Sequence, residues 1–361
     1  KDLGVDLDPK RQARGLSIAD QQVVEIAKAL SMNANIILMD EPTAALSASE
    51  VERLMTVMRS LRAANKAVIF VSHRLDEVFA ISDYITVMRD GATVSEKPIG
   101  QTDLQTVIKE MVGRELTELF PKSTHPIGEV VLEVKDLTNP AYFRNVSFNV
   151  RKGEIVALAG LVGSGRSEIA RSIFGVDPYE SGSVTVKGKP LKKNSPITAM
   201  AEKIALVPED RRQQGLFMVA GVNRNISMES FERLVGRFFI NFKKERALTN
   251  LWRDNLSIKY ADQSDPVDRL SGGNQQKTVL AKWLATDPDI LIVDEPTRGI
   301  DVGTKAEVHR LIDKAAGEGK AVLMISSELP EVLGMADRII VMREGRQVTE
   351  LSRSEATQEN V

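Results

Sequence analysis

The feature that most constrains this chain is an internal repeat. Residues 16–94 match residues 270–348 without a gap, at a constant offset of 254 positions, and 26 of the 79 pairs are identical. The densest matches are LSIADQQ with LSGGNQQ, IILMDEPT with ILIVDEPT, and ITVMRDG with IIVMREG. A gapless match of this length indicates two copies of one domain rather than two similar loops.

The repeat also predicts the domain organisation. Residue 1 pairs with residue 255, so we expect the counterpart of residues 132–254 to lie upstream of this sequence. The helix predicted over 102–115 has a counterpart that runs out at Val361. We predict that 1–115 is the C-terminal part of the first copy and that 132–361 is the second copy. Residues 116–131, with two prolines and a glycine, form the linker.

Short apolar runs alternate with segments of helical spacing. AVIFVS (67–72) and AVLMIS (321–326) are almost wholly apolar, which is typical of strands buried in a parallel sheet. Residues 21–30 and 275–284 have the periodicity of helices. Parallel strands joined by crossover helices predict an α/β fold for both copies. The longest apolar runs are strand-sized, too short for a membrane-spanning helix.

Composition excludes several classes of function. The chain has no cysteine, which rules out disulfides and thiolate metal sites. It has three histidines, without a HExxH pattern. The net charge of −2 disfavours a nucleic-acid partner, because such proteins normally carry a basic field.

A glycine-rich segment predicts a phosphate site. GLVGSGRS (160–167) follows an apolar run and precedes a helical segment, and it fits GxxxxGK[ST] except that Arg166 replaces lysine. Backbone N–H groups of such a loop wrap a phosphate, and the serine ligates Mg²⁺. The alternative is an ordinary glycine turn between strand and helix. The predicted nucleotide contacts are Gly160, Gly163, Ser164, Gly165, Arg166, Ser167 and Glu168.

Each copy has an apolar run that ends in Asp-Glu. We predict that Asp40 and Asp294 hold Mg²⁺, together with Ser167, and that Glu41 and Glu295 polarise the attacking water. The alternative is a pair of solvated acidic residues at a strand end. Two copies in register, one of them downstream of a phosphate loop, favour the catalytic interpretation.

LSGGNQQ opens the helix of the second copy. Ser271, Gly272 and Gly273 can present backbone donors to a phosphate, whereas the first copy has Ile18 and Ala19 in place of the glycines. The alternative is a simple helix N-cap at the serine, and the two roles are compatible.

These motifs together resemble an ABC-transporter ATPase. The phosphate loop, LSGGNQQ, DEPT and GID (299–301) belong to the second copy, and the first copy adds SHR (72–74) after its own DEPT. The resemblance implies phosphate-loop NTPase cassettes in tandem. EPTRGIDVGTKAE and SSELPEV are similar to segments of the ribose, galactose, xylose and arabinose importer ATPases. AYFRNVSF and GLVGSGRSE lean towards the rhamnose and autoinducer-2 members.

The resemblance implies that two cassettes pair within the chain and share two ATP sites of unequal competence. The competent site would combine Asp40, Glu41 and the switch histidine His73 with the signature residues of the second copy. Asp301 would approach the same site.

The other site departs from the family pattern in four places. Arg166 replaces lysine, Ser327 replaces the switch histidine, Glu209 stands at the position of the family's Q-loop glutamine, and the signature opposite lacks glycines. We expect this site to hydrolyse ATP slowly or not at all. Tyr142 or Phe143 would stack on adenine, with a core role as the alternative.

The resemblance implies an ATPase that uses ATP and Mg²⁺ to drive sugar import. Its expected partners are membrane permease subunits and an extracytoplasmic sugar-binding protein. Its expected place is the cytoplasmic face of the inner membrane. We expect the permease contact around residues 209–217 and 222–242, which are rich in large apolar side chains. A soluble ATPase acting on ribosomes or DNA and a non-catalytic nucleotide-binding scaffold are the alternatives.

Overall fold

The chain forms two compact units. The structure, a computed structural model, describes residues 8, 10, 12–14, 16, 18–32, 34–43, 46, 48–72, 74–89, 91–112, 120–161, 163–236 and 240–361. Unit 1 comprises Lys1–Leu116 and unit 2 comprises Thr117–Val361. Within the described ranges, no helix is both long and apolar enough to cross a membrane.

Unit 1 alternates helices with short strands. Strands β1 and β2 pair in parallel, whereas β3 and β4 form an antiparallel hairpin. Its core joins Ile37 and Met39 of β1 to the apolar side of α2. The described elements are α1 (Ile18–Ser31), β1 (Ile36–Asp40), α2 (Ala48–Ala63), β2 (Ala67–Val71), α3 (Leu75–Ile81), β3 (Tyr84–Arg89), β4 (Ala92–Pro98) and α4 (Leu104–Val112).

Unit 2 begins with strands and continues as alternating strands and helices. Its first half contains β5 (Val130–Asn139), β6 (Phe143–Arg151), β7 (Ile155–Gly160), α5 (Arg166–Phe174), β8 (Ser181–Val186), β9 (Lys189–Pro190), α6 (Pro196–Ala201), β10 (Ile204–Val207), α7 (Val222–Ser227), α8 (Phe231–Leu234) and α9 (Phe242–Leu256). Its second half contains α10 (Gly272–Leu284), β11 (Ile290–Asp294), α11 (Val302–Gly317), β12 (Ala321–Ser326), α12 (Leu329–Met335), β13 (Arg338–Arg343) and β14 (Arg346–Ser352).

The strands of unit 2 form one sheet in the order β10-β11-β12-β7-β13-β14-β6-β5-β8-β9. Strand β7 lies in the middle and pairs in parallel with both β12 and β13. Side chains on both faces of β11 and β12 are buried, which explains their continuous apolar sequences. The parallel arrangement brings the carboxyl ends of β7, β11 and β12 to one edge of the sheet.

The repeat seen in the sequence is also a repeat of elements. Strand β1 matches β11 and the hairpin β3–β4 matches β13–β14, at the same offset of 254 residues. Both hairpins contain an irregularity at the equivalent place, between Val87 and Met88 and between Val341 and Met342. Of the predicted linker, residues 120–129 have no helix or strand, and Lys122 forms an ion pair with Asp337 of unit 2 at 3.0 Å.

One prediction is wrong for unit 1. We expected both AVIFVS and AVLMIS to be buried strands, but Ile69 and Val71 are each 51% exposed, whereas Leu323 and Ile325 are fully buried. In unit 2 the strand lies inside a ten-stranded sheet with helices packed on it. Among the described residues of unit 1, β1 and β2 form a sheet of two strands, and only alternate side chains pack on α2.

Candidate functional site

The loop between β7 and α5 has a backbone that only glycine adopts easily. The φ angles are 150° at Gly160, 82° at Gly163 and 90° at Gly165. A Cβ at Gly160 would lie 2.2 Å from the carbonyl oxygen of Met342, and a Cβ at Gly165 would lie 2.7 Å from that of Tyr142. Glycine is therefore required at both positions for the loop to close against the neighbouring strands.

This loop offers donors to an anion. Helix α5 is preceded by Gly165, which has no side chain to cap the N–H groups of the first turn, so these groups are left for a ligand. The side chain of Ser164 is 4% exposed, and its hydroxyl has no hydrogen-bond partner within the described residues. A buried, unpaired hydroxyl beside a helix N-terminus fits a phosphate group. Val162 lies outside the described residues.

The predicted magnesium ligands of unit 2 lie together. The Ser167 hydroxyl donates a hydrogen bond of 3.1 Å to the carboxylate of Asp294 at the end of β11. Burial is the main cause that raises the pKa of Asp294 to about 6, against the hydrogen bond from Ser167. A divalent cation at this pair would favour the ionised carboxylate. Because no described group of three or more acidic or histidine residues could hold a metal ion, such a cation would need phosphate oxygens and water as further ligands.

Glu295 is held in an unusual backbone conformation beside this pair. Its φ is +45°, which is uncommon for a residue with a side chain. Its N–H donates to the carbonyl oxygen of Ile325 at 2.9 Å, and its carboxylate accepts a 3.0 Å hydrogen bond from the Ser327 hydroxyl. Burial raises the pKa of Glu295 above its ordinary value, while Ser327 and Arg166 act in the opposite direction. A strained position at a strand end is typical of functional residues.

Arg166 is turned into the protein. Its side chain is 5% exposed, its guanidinium donates a hydrogen bond to the carbonyl oxygen of Ser326, and it lies 3.6 Å from the carboxylate of Glu295. Burial lowers the pKa of Arg166, whereas the charges of Glu295 and Asp294 oppose that change. The guanidinium thus binds protein groups at the position where a phosphate-loop lysine would face the nucleotide.

A second cluster combines the remaining predicted residues of unit 2. Asp301 caps α11 by accepting a 2.9 Å hydrogen bond from the N–H of Thr304. A Cβ at Gly273 would lie 2.6 Å from the hydroxyl of Thr304, so the start of α10 packs on the start of α11. Ser271 is the N-cap of α10, and a Cβ at Gly272 would lie 2.9 Å from a guanidinium nitrogen of Arg211.

Two further side chains join this cluster. Arg211 donates hydrogen bonds to the carbonyl oxygens of Arg298 and Gly299, at 2.9 and 3.1 Å. Glu209 forms an ion pair with Arg298. The turn that begins at Glu209 is therefore joined to the GID loop and to the start of the LSGGNQQ helix.

The other predicted contacts of unit 2 have separate positions. Glu168 lies 3.4 Å from the guanidinium of Arg171 on the same helix. Phe143 is buried, so of the two aromatic candidates it is the one with a core role. Tyr142 is 52% exposed, and its backbone lies against the phosphate loop.

Unit 1 reproduces the strand end of unit 2. Asp40 ends β1, and Glu41 has φ of +43° with its N–H donating to Val71 at 2.9 Å, as Glu295 does to Ile325. His73 lies outside the described residues. The start of α1 also matches α10, since the side-chain amide of Gln21 donates to the carbonyl oxygen of Leu16 at 3.0 Å.

Sequence reasoning missed a buried acidic residue in each unit. Glu77 accepts a hydrogen bond from the hydroxyl of Thr43, and Glu331 accepts one from Thr297. All four residues are identical between the copies, which was the signal available in the sequence.

The comparisons with known proteins identify the family. Residues 143–298 match the family model described as ABC transporter. The chain is 59% identical over 359 residues to a ribose import ATP-binding protein of Rhodococcus jostii, covering 99% of this chain and 71% of that protein. It is 49% identical to a putative ribose/galactose/methyl galactoside import ATP-binding protein of Rhizobium etli, covering 99% and 68%.

The chain belongs to the ABC-transporter ATP-binding proteins of the ribose-import type. The solved structure of a dimeric bacterial ABC transporter cassette agrees in fold, with a TM-score of 0.55 and 22% identity over 62% of this chain and 98% of that one. The predicted α/β phosphate-loop cassette fold and the predicted ATPase activity are confirmed. ABC ATPases bind ATP, generally with Mg²⁺. One family-model match is found, over 143–298. The interpretation of unit 1 as part of another cassette, the first copy of the repeat, therefore stays a prediction.

Proposed function

We propose that this chain hydrolyses ATP to drive the import of ribose or a closely similar sugar. The ATPase would bind membrane permease subunits at the cytoplasmic face of the membrane. An extracytoplasmic sugar-binding protein would be the further partner of the complex. The names of the relatives at 59% and 49% identity support the cargo class, and they shift it from rhamnose or autoinducer-2 towards ribose. The hydrogen-bonded pair of Ser167 and Asp294 below the phosphate loop is the observation that carries the ATP-dependent role.

In unit 2 the residues would divide the work of binding. The N–H groups of the first turn of α5 and the hydroxyl of Ser164 would bind phosphate oxygens. Ser167 and Asp294 would hold Mg²⁺, which supplies neutralisation of phosphate charge when bound. Tyr142 would stack on adenine, and the exposure of its side chain next to the phosphate loop supports this role.

We further propose that unit 2 binds nucleotide but hydrolyses it poorly. The carboxylate of Glu295, which would polarise water, accepts a hydrogen bond from the Ser327 hydroxyl and lies next to the Arg166 guanidinium. Glu209 is likewise engaged with Arg298. Unit 1, interpreted as the first cassette, would supply the hydrolytic residues Asp40, Glu41 and His73.

Reconstitution tests this function. The ATPase should co-purify with a membrane permease, and vesicles that contain both, with a ribose-binding protein outside, should accumulate labelled ribose only when ATP is inside. Uptake of xylose or galactose in place of ribose would show that the proposed sugar is wrong, while the importer role would stand. ATP hydrolysis stimulated by ribosomes or DNA, without sugar uptake, would contradict the importer role.

A further inference from the structure

Each unit contains a buried carboxylate in the first turn of the helix that follows a sheet strand. Glu77 in α3 is 4% exposed and Glu331 in α12 is 1% exposed. The hydroxyl of the DEPT threonine donates to each one, from Thr43 to Glu77 at 2.6 Å and from Thr297 to Glu331 at 3.0 Å. The same contact therefore occurs twice, at equivalent positions of the repeat.

The other side of each carboxylate faces the segment that follows the strand. In unit 2 the Ser326 hydroxyl donates to Glu331 at 2.5 Å and accepts from the N–H of Glu328 at 3.0 Å. In unit 1 the Ser72 hydroxyl accepts from the N–H of Arg74 at 3.0 Å, and the Arg74 guanidinium lies 2.8 Å from Glu77. Each carboxylate thus joins the DEPT turn to the segment that contains residue 73 or 327.

A buried carboxylate is costly unless its oxygens are satisfied. Burial by itself raises the pKa of Glu331, but hydrogen bonds from His309, Ser326 and Thr297 outweigh it and hold the pKa below its ordinary value. His309 is itself buried, and one ring nitrogen lies 2.7 Å from the carboxylate. A satisfied network of this kind fixes one arrangement of the groups that it joins.

The joined groups lead directly to the reactive side chains. In unit 2 the Ser327 hydroxyl, next to Ser326, reaches the carboxylate of Glu295 at 3.0 Å. The carbonyl oxygen of Ser326 also accepts the hydrogen bond from Arg166. In unit 1 the equivalent chain positions are His73 and Glu41.

We infer that Glu77 is a positioning residue for ATP hydrolysis, which holds the segment carrying His73 in register with the turn carrying Glu41. Glu331 has the same structural role for Ser327 in unit 2. The inference rests on the proposed function, in which unit 1 supplies the hydrolytic residues. Because Glu77 is buried inside unit 1, we expect its removal to affect turnover rather than affinity for ATP.

The test compares Glu77→Gln with Glu331→Gln in the intact import ATPase. Glu331 is bound by three buried side chains, whereas the side-chain partners of Glu77 include Thr43 and the partly exposed Arg74, so Glu331→Gln should lower the melting temperature at least as much as Glu77→Gln. Glu77→Gln alone should reduce kcat about tenfold to a hundredfold, the loss typical of removing an outer partner that orients a functional ligand. The KM for ATP should stay unchanged. Thr43→Val, which removes only a hydroxyl, should reduce kcat in the same direction and serves if Glu77→Gln does not fold.

The outcomes separate this inference from the proposed function. Equal kcat losses in Glu77→Gln and Glu331→Gln would overturn the inference, as would a loss confined to KM. Glu41→Gln is measured in the same preparation. If Glu41→Gln abolishes hydrolysis while Glu77→Gln and Thr43→Val turn over normally, the proposed function stands and the positioning role is wrong.

Discussion

At the scale of single residues, the phosphate loop of unit 2 is notable for three charged side chains that are buried next to it. Asp294, Glu295 and Arg166 are each less than 10% exposed, and they lie next to one another at the carboxyl edge of the sheet. Arginine at position 166 keeps the positive charge of the usual lysine, but its planar guanidinium also reaches the carbonyl oxygen of Ser326. The motif predicted a cation at this position, yet it could not show that protein groups already bind that cation.

Asp294→Asn should stabilise the chain in the absence of nucleotide. The unfolded carboxyl ionises near 3.8 and the folded one near 6, so the folded state binds the extra proton. The stability that this group contributes is therefore fully present below pH 3.8 and is lost as the pH rises through about 6. At pH 8 the substitution should raise the free energy of unfolding by up to about 3 kcal/mol, with the gain shrinking towards pH 4.

Urea denaturation of the two proteins at several pH values measures this difference. Asp289→Asn is the control, because the Asp289 carboxylate is partly exposed and ion-paired with Lys187, so that variant should gain nothing at pH 8. MgATP binding by Asp294→Asn should fall, since a magnesium ligand is lost. A constant stability difference from pH 4 to 8 would contradict the role of the buried carboxylate.

At the scale of elements, the periodicity of the sequence correctly predicted the helices and strands that occur in both copies of the repeat. The helix expected over 102–115 is observed as Leu104–Val112, and both DEPT strands end at the aspartate. Burial was harder to predict, because it depends on neighbouring elements rather than on the strand itself. The sequences of β2 and β12 are almost equally apolar, yet alternate side chains of β2 are half exposed.

The segment between the phosphate loop and α10 divides into core and surface. Val222 and Ile226 of α7 are fully buried, whereas Phe217, Phe231 and Phe242 are 58%, 45% and 60% exposed. Phe238 and Phe239 lie outside the described residues. Exposed aromatic side chains favour a protein partner, and we propose that this partner is the permease.

Replacing Phe217 and Phe231 by serine should therefore weaken coupling to the permease. These side chains contribute little to the core, so basal ATP hydrolysis and melting temperature should remain close to wild type, while co-purification with the permease and sugar uptake decrease. Ile226→Ser is the matched control, because a polar side chain in the core should cost about 3 kcal/mol or more. If the phenylalanine variants lose stability as Ile226→Ser does, the segment is core and the coupling assignment is wrong.

At the scale of the whole molecule, the two units have the same backbone geometry at the end of the DEPT strand, but they differ in the residues at neighbouring positions. Glu41 and Glu295 have nearly the same backbone conformation and the same hydrogen bond from the N–H to the neighbouring strand. The sequence predicted this equivalence from the DEPT match. It also predicted the difference, since Ser327 and Arg166 depart from the family pattern, and in the structure both of them engage Glu295.

Glu41→Gln and Glu295→Gln should therefore have unequal effects on the intact import ATPase. Glu41→Gln removes the carboxylate that would polarise water in unit 1, and a lost general base typically costs about 10²- to 10⁴-fold in rate. Glu295→Gln removes a carboxylate that Ser327 and Arg166 already engage, so the loss should be small by comparison. Steady-state phosphate release, with MgATP affinity measured in parallel, gives both effects. Equal losses would show that the two units hydrolyse ATP equally well, because the protein contacts of Glu295 would then not impair its chemistry.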